Sequence, residues 1–299
     1  MRAGNIHATF RENDVRERWK QAGLALLSLL AYVVVFGGSI FVLLRMHNNS
    51  AIAAYGGLAL LSVIVYVAAA RWIERRPVAE LALAPALPEL FGGMIAGIAL
   101  FASVIAILWI AGVYQPQGWG SFGGLGLGFL FWLAIGVQEE IQFRGFVYRL
   151  CCKLFGTWGA ILMSGVAFGV IHGMDPGATV TALSSVALAG LFLGAVFALS
   201  GRLWVPIGIH AGWNFAEGSL FGTSVSGSNV GGSLVNAKLV GPDFLTGGRF
   251  GPEASIATIV VLLAATVFVV WRIATLRRTE PPIWRDKAEE RPEGAARAS

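Results

Sequence analysis

Residues 90–113 read LFGGMIAGIALFASVIAILWIAGV and contain no charged side chain. A helix needs roughly 20 consecutive apolar residues to cross the hydrocarbon core of a bilayer, so this stretch is long enough to span a membrane. Further apolar runs lie near residues 22–44, 52–70, 125–142, 157–174, 180–200, 203–221 and 254–274. The sequence therefore predicts an all-α, polytopic transmembrane helical bundle with about eight spans.

The composition favours the same class of protein. Of the 299 residues, 56% are apolar and only 13% are charged, which is less charge than a soluble domain of this size usually carries. The 39 glycines suit membrane helices that approach one another closely. Because the sequence lacks ten-residue segments of alternating hydrophobicity, a transmembrane barrel is excluded.

The net charge is +5, and the basic residues are concentrated in alternate loops. Basic residues concentrate before the first run and after the second, fourth, sixth and eighth runs, whereas the opposite side carries only Arg45, Lys238 and Arg249. By the positive-inside rule, both termini face the cytoplasm. The basic residues thus indicate topology and not a nucleic-acid partner. Short loops and the absence of organelle signals favour a multi-pass protein of the bacterial plasma membrane, with the lipid bilayer as its surroundings.

The chain is predicted to have three parts. Residues 1–89 comprise an N-terminal cytoplasmic tail, two spans and a linker. Residues 90–221 form a core whose apolar runs are interrupted by ionisable side chains. Residues 222–299 comprise an external loop, the last span and a cytoplasmic tail. Ionisable groups inside a membrane are costly and usually functional, so we expect the chemistry in the core.

The fourth run ends in two adjacent acids, Glu139 and Glu140, followed by Arg144. Residues four apart share a helix face, so Glu140 and Arg144 can form an ion pair. Glu139 points about 100° away from that face and is free to face a cavity. We therefore expect Arg144 to hold Glu140 in an ion pair while Glu139 takes part in the chemistry.

The fifth and seventh runs repeat the four-residue spacing. Phe168 precedes His172, which places the phenyl ring beneath the imidazole, and His210 precedes Asn214. Glu217 extends the second stripe by a further turn. The three runs together present carboxylates, imidazoles and an amide to the bundle interior.

Such a set suits hydrolysis of a peptide bond. A carboxylate in a low-dielectric cavity can accept a proton from water, and a nearby imidazole can position that water. A second imidazole and an amide can donate hydrogen bonds to the oxyanion that forms. A zinc version is an open alternative, with His172, His210 and one glutamate as protein ligands and water as the fourth. The His-Glu-x-x-His signature of zinc peptidases does not occur in the sequence.

Three motifs occur in order on successive runs: Glu-Glu-x-x-x-Arg at 139–144, Phe-x-x-x-His at 168–172 and His-x-x-x-Asn at 210–214. This ordered triple resembles the CAAX-protease and bacteriocin-processing family, which includes the type II CAAX prenyl endopeptidases, or Ras-converting endopeptidases. The resemblance covers roughly residues 90–220.

The resemblance implies an intramembrane endopeptidase that acts on a hydrophobic or lipidated peptide or protein. It implies that Glu139 and His172 activate water, that Glu140 and Arg144 complete the first motif, and that His210 and Asn214 stabilise the oxyanion. The family is described both as glutamate-type, which needs no cofactor, and as metal-dependent, in which case Zn²⁺ would be held by Glu139, His172 and His210.

Two points can contradict this interpretation. With straight helices and the run boundaries above, Glu139, His172 and His210 lie at different depths, so their convergence requires tilted helices or a span five that starts inside the cytoplasm. The alternative function is a catalytically silent membrane protein, either an immunity or interaction factor or a small transporter. It would use the same polar residues as contacts between helices or as a proton relay.

Overall fold

The computed structural model describes residues 3–45, 51–229 and 232–283. The helices of these residues are, in chain order, α1 Ala3–Arg45, α2 Ala51–Ala68, α3 Ala86–Ile110, α4 Leu125–Glu140, α5 Arg149–Ile171, α6 Val180–Ser200, α7 Trp204–Asn214, α8 Asp243–Thr246 and α9 Ile256–Thr275. Three π-helical segments extend α2, α4 and α7, at Ala69–Ile73, Ile141–Tyr148 and Phe215–Leu220. Two short strands, β1 Tyr114–Trp119 and β2 Val235–Leu239, pair antiparallel.

The predicted all-α polytopic bundle is confirmed. Within the described residues, six segments are long and apolar enough to cross a membrane: Val15–Val35, Ala53–Ile73, Ala86–Ile110, Phe122–Met174, Val180–Ser200 and Ile256–Thr275. The fourth of these covers predicted spans four and five together. The seventh predicted span corresponds to α7 and its π-helical extension and is not among the six. The count of eight spans, the cytoplasmic termini and the three-part division of the chain stay predictions.

The helix that carries Glu139 is longer than its apolar run. The predicted end of span four near residue 142 is wrong, because the helix continues as Ile141–Tyr148 and into the first residues of α5. The break between the fourth and fifth spans comes at Gly156, whose φ of 72° and ψ of −177° are not helical. At 1.5 Å per residue, Glu139 and His172 both lie about 25 Å from this break. Their depths therefore match, and the predicted mismatch between them is removed.

The chain just beyond α9 packs against the break at Gly156. The Thr157 amide donates to the Glu280 carbonyl at 2.9 Å, and the Glu280 amide donates to Thr157 Oγ1 at 2.7 Å. A Cβ at Gly156 would lie 2.6 Å from the Glu280 oxygen, so this position has no room for a side chain. The remainder of the predicted tail, residues 284–299, lies outside the described residues.

Helix α7, which carries His210 and Asn214, lies directly on α3. A Cβ at Gly97 would lie 2.1 Å from the Ile209 carbonyl oxygen, and one at Gly208 would lie 2.2 Å from the Leu90 carbonyl oxygen. Such glycine contacts let two membrane helices approach backbone to backbone. The close approach fixes α7 in the bundle and thereby fixes the depth of its two polar residues.

The loop predicted to be external is folded back onto the bundle. It contains β2, α8 and a 3₁₀ turn at Pro252–Ala254. Phe250 is fully buried and belongs to a cluster with Phe143 and Phe168. Ser185 on α6 donates a hydrogen bond to the carbonyl of Glu253. The end of this loop is therefore brought beside the polar residues of α4, α5 and α7.

Candidate active site

Glu140 and Arg144 form the ion pair that their spacing predicts. Arg144 Nη1 lies 2.7 Å from Glu140 Oε1, and neither side chain is exposed to solvent. Arg144 Nη2 donates to the Gly190 carbonyl at 2.9 Å, and the guanidinium lies 4.9 Å from the centre of the Phe168 ring. The arginine therefore anchors Glu140, α6 and the second motif to one another.

Glu139 points into a cavity between two imidazoles. Its Oε2 atom lies 3.9 Å from His172 Nε2 and 3.9 Å from His210 Nε2. That atom is buried and has no hydrogen-bond partner among the described residues. A separation of 3.9 Å is too long for a direct hydrogen bond but can be bridged by a water molecule. The geometry thus brings together Glu139, His172 and His210 of the predicted site.

The second nitrogen of each imidazole is held by an acceptor. His172 Nδ1 lies 2.7 Å from the Phe168 carbonyl, and His210 Nδ1 lies 2.9 Å from Glu140 Oε1. Since a carbonyl and an ion-paired carboxylate both accept, each Nδ1 carries the proton and each Nε2 faces Glu139. Glu140 therefore contacts both Arg144 and His210, whereas the sequence indicated only its contact with Arg144.

The cavity has a volume of about 350 Å³. Asn214 lines it together with Glu139, His172 and His210, so four of the six predicted site residues meet at one surface. Glu140 and Arg144 lie behind that surface. Another part of the wall is apolar and aromatic and includes Tyr55, Phe131, Ile135, Trp132 and Trp213. Phe168 packs beneath His172 as its spacing predicts, with 4.6 Å between the ring centres.

Two further carboxylates line the cavity and were missed in the sequence. Asp175 begins an Asp-Pro-Gly sequence that is typical of a turn, directly after the fifth run, and Glu253 lies in the loop after span seven. Burial raises the pKa of Asp175 and that of Glu253. The only sequence signal for Glu253 is an acid directly before the start of an apolar run, which is too common to identify a site.

Glu217 occupies a different place from the one its helical stripe suggests. It is fully buried behind the cavity wall, where its Oε2 accepts from Trp213 Nε1 at 3.2 Å. Its Oε1 accepts from the backbone amide of Glu253 at 3.3 Å. Glu217 therefore supports the turn that carries Glu253 and does not face the cavity.

The fit of a zinc ion can be judged from the side chains. Two ligand atoms at 2.0–2.1 Å from a tetrahedral zinc lie about 3.3 Å apart, which is shorter than the 3.9 Å between Glu139 Oε2 and each imidazole Nε2. Within the described part of the chain, no group of three or more His, Cys, Asp or Glu residues is arranged to hold a metal. The three side chains would have to move closer together to ligate zinc, and metal dependence stays a prediction.

The fold and this site define a class: polytopic membrane proteins with a buried carboxylate and histidine centre that opens on a cavity. Residues 119–216 match the family model for type II CAAX prenyl endopeptidase Rce1-like proteins. The match confirms the resemblance over this segment, which is about one third of the chain. Comparison with curated proteins gave no match, and comparison with solved structures gave none.

The matched segment contains all six predicted site residues and ends one residue before Glu217. The match, together with the candidate membrane spans, supports a CAAX-protease-like endopeptidase that is integral to a membrane. The roles of individual residues, the substrate and the choice between glutamate and metal chemistry stay predictions. Glu217 and Glu253 lie outside the matched segment, so they are features of this chain beyond it.

Proposed function

We propose that this protein is an intramembrane endopeptidase that hydrolyses a peptide bond of a membrane-associated or lipidated protein or peptide. The observation that carries the proposal is the unbonded Oε2 atom of Glu139. It lies 3.9 Å from the Nε2 atoms of two imidazoles that line the same cavity. Most buried side-chain oxygens in proteins have a hydrogen-bond partner. An unsatisfied one beside two imidazoles suits proton transfer.

In the proposed reaction, a water molecule bonds to Glu139 Oε2 and His172 Nε2. Glu139 takes one proton of the water while the water oxygen attacks the scissile carbonyl, which gives a tetrahedral intermediate. Glu139 then returns that proton to the leaving nitrogen, and the C–N bond breaks. The products are a carboxylic acid and an amine, and Glu139 is regenerated as a carboxylate.

The oxyanion of the intermediate requires donors on the other side of the carbonyl. Asn214 supplies an amide N–H directly. His210 can donate only through Nε2, because its Nδ1 is bonded to Glu140, so donation requires the doubly protonated ring. The carboxylates of Glu140 at 2.9 Å and Glu139 at 3.9 Å favour that charged ring. Glu140 and Arg144 are therefore positioning residues for His210.

A hydrophobic substrate is supported by the composition of the cavity wall. Tyr55 on α2 and Phe131 on α4 contact each other with 5.1 Å between ring centres, and Trp132 stacks edge-on with Phe131. These rings continue the cavity away from the carboxylates along two helices of the bundle. An apolar side chain or an acyl or prenyl group beside the cleaved bond would be buried there.

The test is hydrolysis of quenched fluorescent peptides, anchored in liposomes by an apolar segment, by the purified protein. We expect Glu139→Gln and His172→Ala to lower kcat/KM by about 10²–10⁴-fold, the usual contribution of a general base. Glu89→Gln is the matched control, because Glu89 is another partly buried glutamate with an unbonded oxygen and lies outside the cavity. Its activity should equal that of the wild type.

The proposal is wrong if the wild type and both site variants cleave at the same rate, or if no peptide in a broad panel is cleaved. A chelator and metal analysis decide the open point of chemistry. Activity that survives chelation in metal-free protein supports the glutamate mechanism. Loss of activity on chelation, with recovery on addition of Zn²⁺, supports ligation by Glu139, His172 and His210.

A further inference from the structure

The charged side chains that line the cavity are all acids or histidines. Glu139, Asp175 and Glu253 face it, and no lysine or arginine is among the lining residues that the structure describes. Arg144, the arginine of the site, is fully buried and is bonded to Glu140 and to the Gly190 carbonyl. A free carboxylate in a bound peptide would therefore meet three acids and no lysine or arginine.

Glu253 is held firmly in its place. Its Oε1 accepts from both the amide and the hydroxyl of Ser226 at 2.6 Å. Its backbone amide donates to Glu217, and its carbonyl accepts from Ser185. Contacts from α6, the segment after α7 and the external loop thus fix one carboxylate at the cavity.

Asp175 lies at the end of the turn that follows His172. Its carboxylate makes no hydrogen bond to any other residue in the described ranges, although it lines the same cavity as Glu253. Burial raises the pKa of both acids, and no lysine or arginine lines the described cavity to offset their loss of hydration. A positively charged ligand would supply the missing charge.

The aromatic wall suits the rest of such a ligand. A lysine or arginine side chain has an apolar stem and a charged head, and it packs well where rings border carboxylates. Trp132 and Tyr55 border the cavity that Glu253 and Asp175 also line. A cationic amphipathic group therefore matches the acids and the rings of the cavity together.

On the basis of the proposed function, we propose that Glu253 and Asp175 select substrates that carry a positive charge beside the cleaved bond. The group is a lysine or arginine side chain or a free α-amino group, and a free C-terminal carboxylate is not what the site recognises. Glu253 is the principal specificity-determining residue, because its orientation is fixed by three parts of the fold.

The experiment uses one anchored quenched peptide in which single positions carry lysine, acetyl-lysine or glutamate. Further versions have a free or acetylated N-terminus and a free or amidated C-terminus, so the two sources of an amine are separated. Wild type, Glu253→Gln, Asp175→Asn and the control Glu89→Gln are compared. We expect lysine or a free amine to raise kcat/KM about tenfold over the neutral peptide, since ion pairs with buried carboxylates are strong. Each cavity variant should reduce this ratio, and the control should keep it.

Three results would overturn the inference: a wild-type preference for acetyl-lysine or glutamate, a need for a free C-terminal carboxylate, or an unchanged lysine ratio in both cavity variants. If Glu253→Gln does not fold, the inference is judged from the lysine-to-neutral ratio of kcat/KM in the wild type and in Asp175→Asn. If no peptide is cleaved, the inference is judged from binding of the same peptides, measured by fluorescence anisotropy. Tighter binding of the lysine peptide that is lost in the variants supports the inference while the proposed function fails, and equal binding overturns the inference.

Discussion

Two groups of buried charged residues in this bundle have opposite designs. The first, which we term the Glu74 cluster, lies where α2 and its π-helix meet α5 and comprises Tyr66, Glu74, Arg76, Glu80 and Arg149. The second, the Glu139 cluster, comprises Glu139, Glu140, Arg144, His172 and His210. Both contain two glutamates, but the first provides an arginine for each and the second provides one arginine for two.

In the Glu74 cluster, every carboxylate finds partners. Glu74 Oε2 lies 2.6 Å from Arg149 Nη2 and 3.0 Å from Arg76 Nε. Glu80 pairs with Arg76 at 2.8 Å and accepts from the Tyr66 hydroxyl. Within the described residues, none of these side chains has a buried polar atom without a hydrogen bond. This is the arrangement expected of residues that stabilise a fold.

In the Glu139 cluster, three buried atoms are left without partners. They are Oε2 of Glu139, Oε2 of Glu140 and Nε of Arg144. An unsatisfied buried polar group typically costs 1–3 kcal/mol, so a protein retains it where it has a use. The comparison shows that complete pairing of the charged side chains distinguishes a structural cluster from a catalytic one. Charged residues in a membrane protein indicate chemistry when they are incompletely paired and face a cavity, as Glu139 does.

The largest effect is expected from breaking the pair that supports the Glu139 cluster. Arg144→Met leaves Glu140 buried with only His210 as a charged partner, and removing one member of a buried pair costs about 3–5 kcal/mol. The free energy of unfolding, measured by SDS titration in mixed micelles, should fall by this amount. Arg71→Met, at an exposed arginine, is the control and should change it by less than about 0.5 kcal/mol. A loss below about 1 kcal/mol in Arg144→Met would contradict the structural role.

The next effect concerns activity alone. Asn214→Ala removes one proposed oxyanion donor and should lower kcat by about 10²–10³-fold. The Asn214 side chain makes no hydrogen bond to another described residue, so the melting temperature in detergent should be unchanged. Asn236→Ala, at an exposed asparagine of β2, is the matched control. Full activity of Asn214→Ala would remove this residue from the site.

A smaller effect is expected in the Glu74 cluster. Arg149→Met removes the closest partner of Glu74 but leaves Arg76 in place, and Arg149 is partly exposed. We expect a loss of about 1–2 kcal/mol in unfolding free energy, because exposure weakens such a pair. Activity per folded molecule should equal that of the wild type. A selective loss of activity in this variant would contradict the separation of the two clusters.

The smallest effect is a dependence of stability on pH. Burial opposes ionisation of Glu74, but Arg149 and Arg76 together lower its pKa below the ordinary value of 4.5. Glu74 therefore contributes stability above pH 4.5, which is lost as the pH falls through the lowered pKa. The difference in melting temperature between wild type and Glu74→Gln should be largest near neutral pH and should shrink in acid. A melting-temperature difference that grows in acid would contradict the lowered pKa of Glu74.

The local part of the site could be predicted from the sequence. The spacing of Glu140 and Arg144, and that of Phe168 and His172, follows from helix geometry, so those contacts could be inferred without a structure. The charged stretch that includes Glu74 and Arg76 was interpreted as a linker. Its partner Arg149 lies 75 residues away along the chain, and no periodic pattern connects them.

The nonlocal part could not be predicted. Glu253 reaches the cavity because Phe250 of its loop packs with Phe143 and Phe168. Glu253 itself contacts Ser226 and Glu217, and each of these contacts joins residues far apart in sequence. The contact of His210 with Glu140 is of the same kind. The continuation of α4 beyond residue 142 was missed because Arg144 and Arg149 interrupt the apolar pattern while both are paired inside the bundle.

The most direct test of the central claim is to measure kcat/KM and the melting temperature on the same preparation of Glu139→Gln. Because Glu139 Oε2 makes no hydrogen bond to any described residue, we predict a loss of about 10²–10⁴-fold in kcat/KM with an unchanged or higher melting temperature. Retained activity would contradict the account. So would activity and melting temperature that fall together, because Glu139 would then be a structural residue like Glu74.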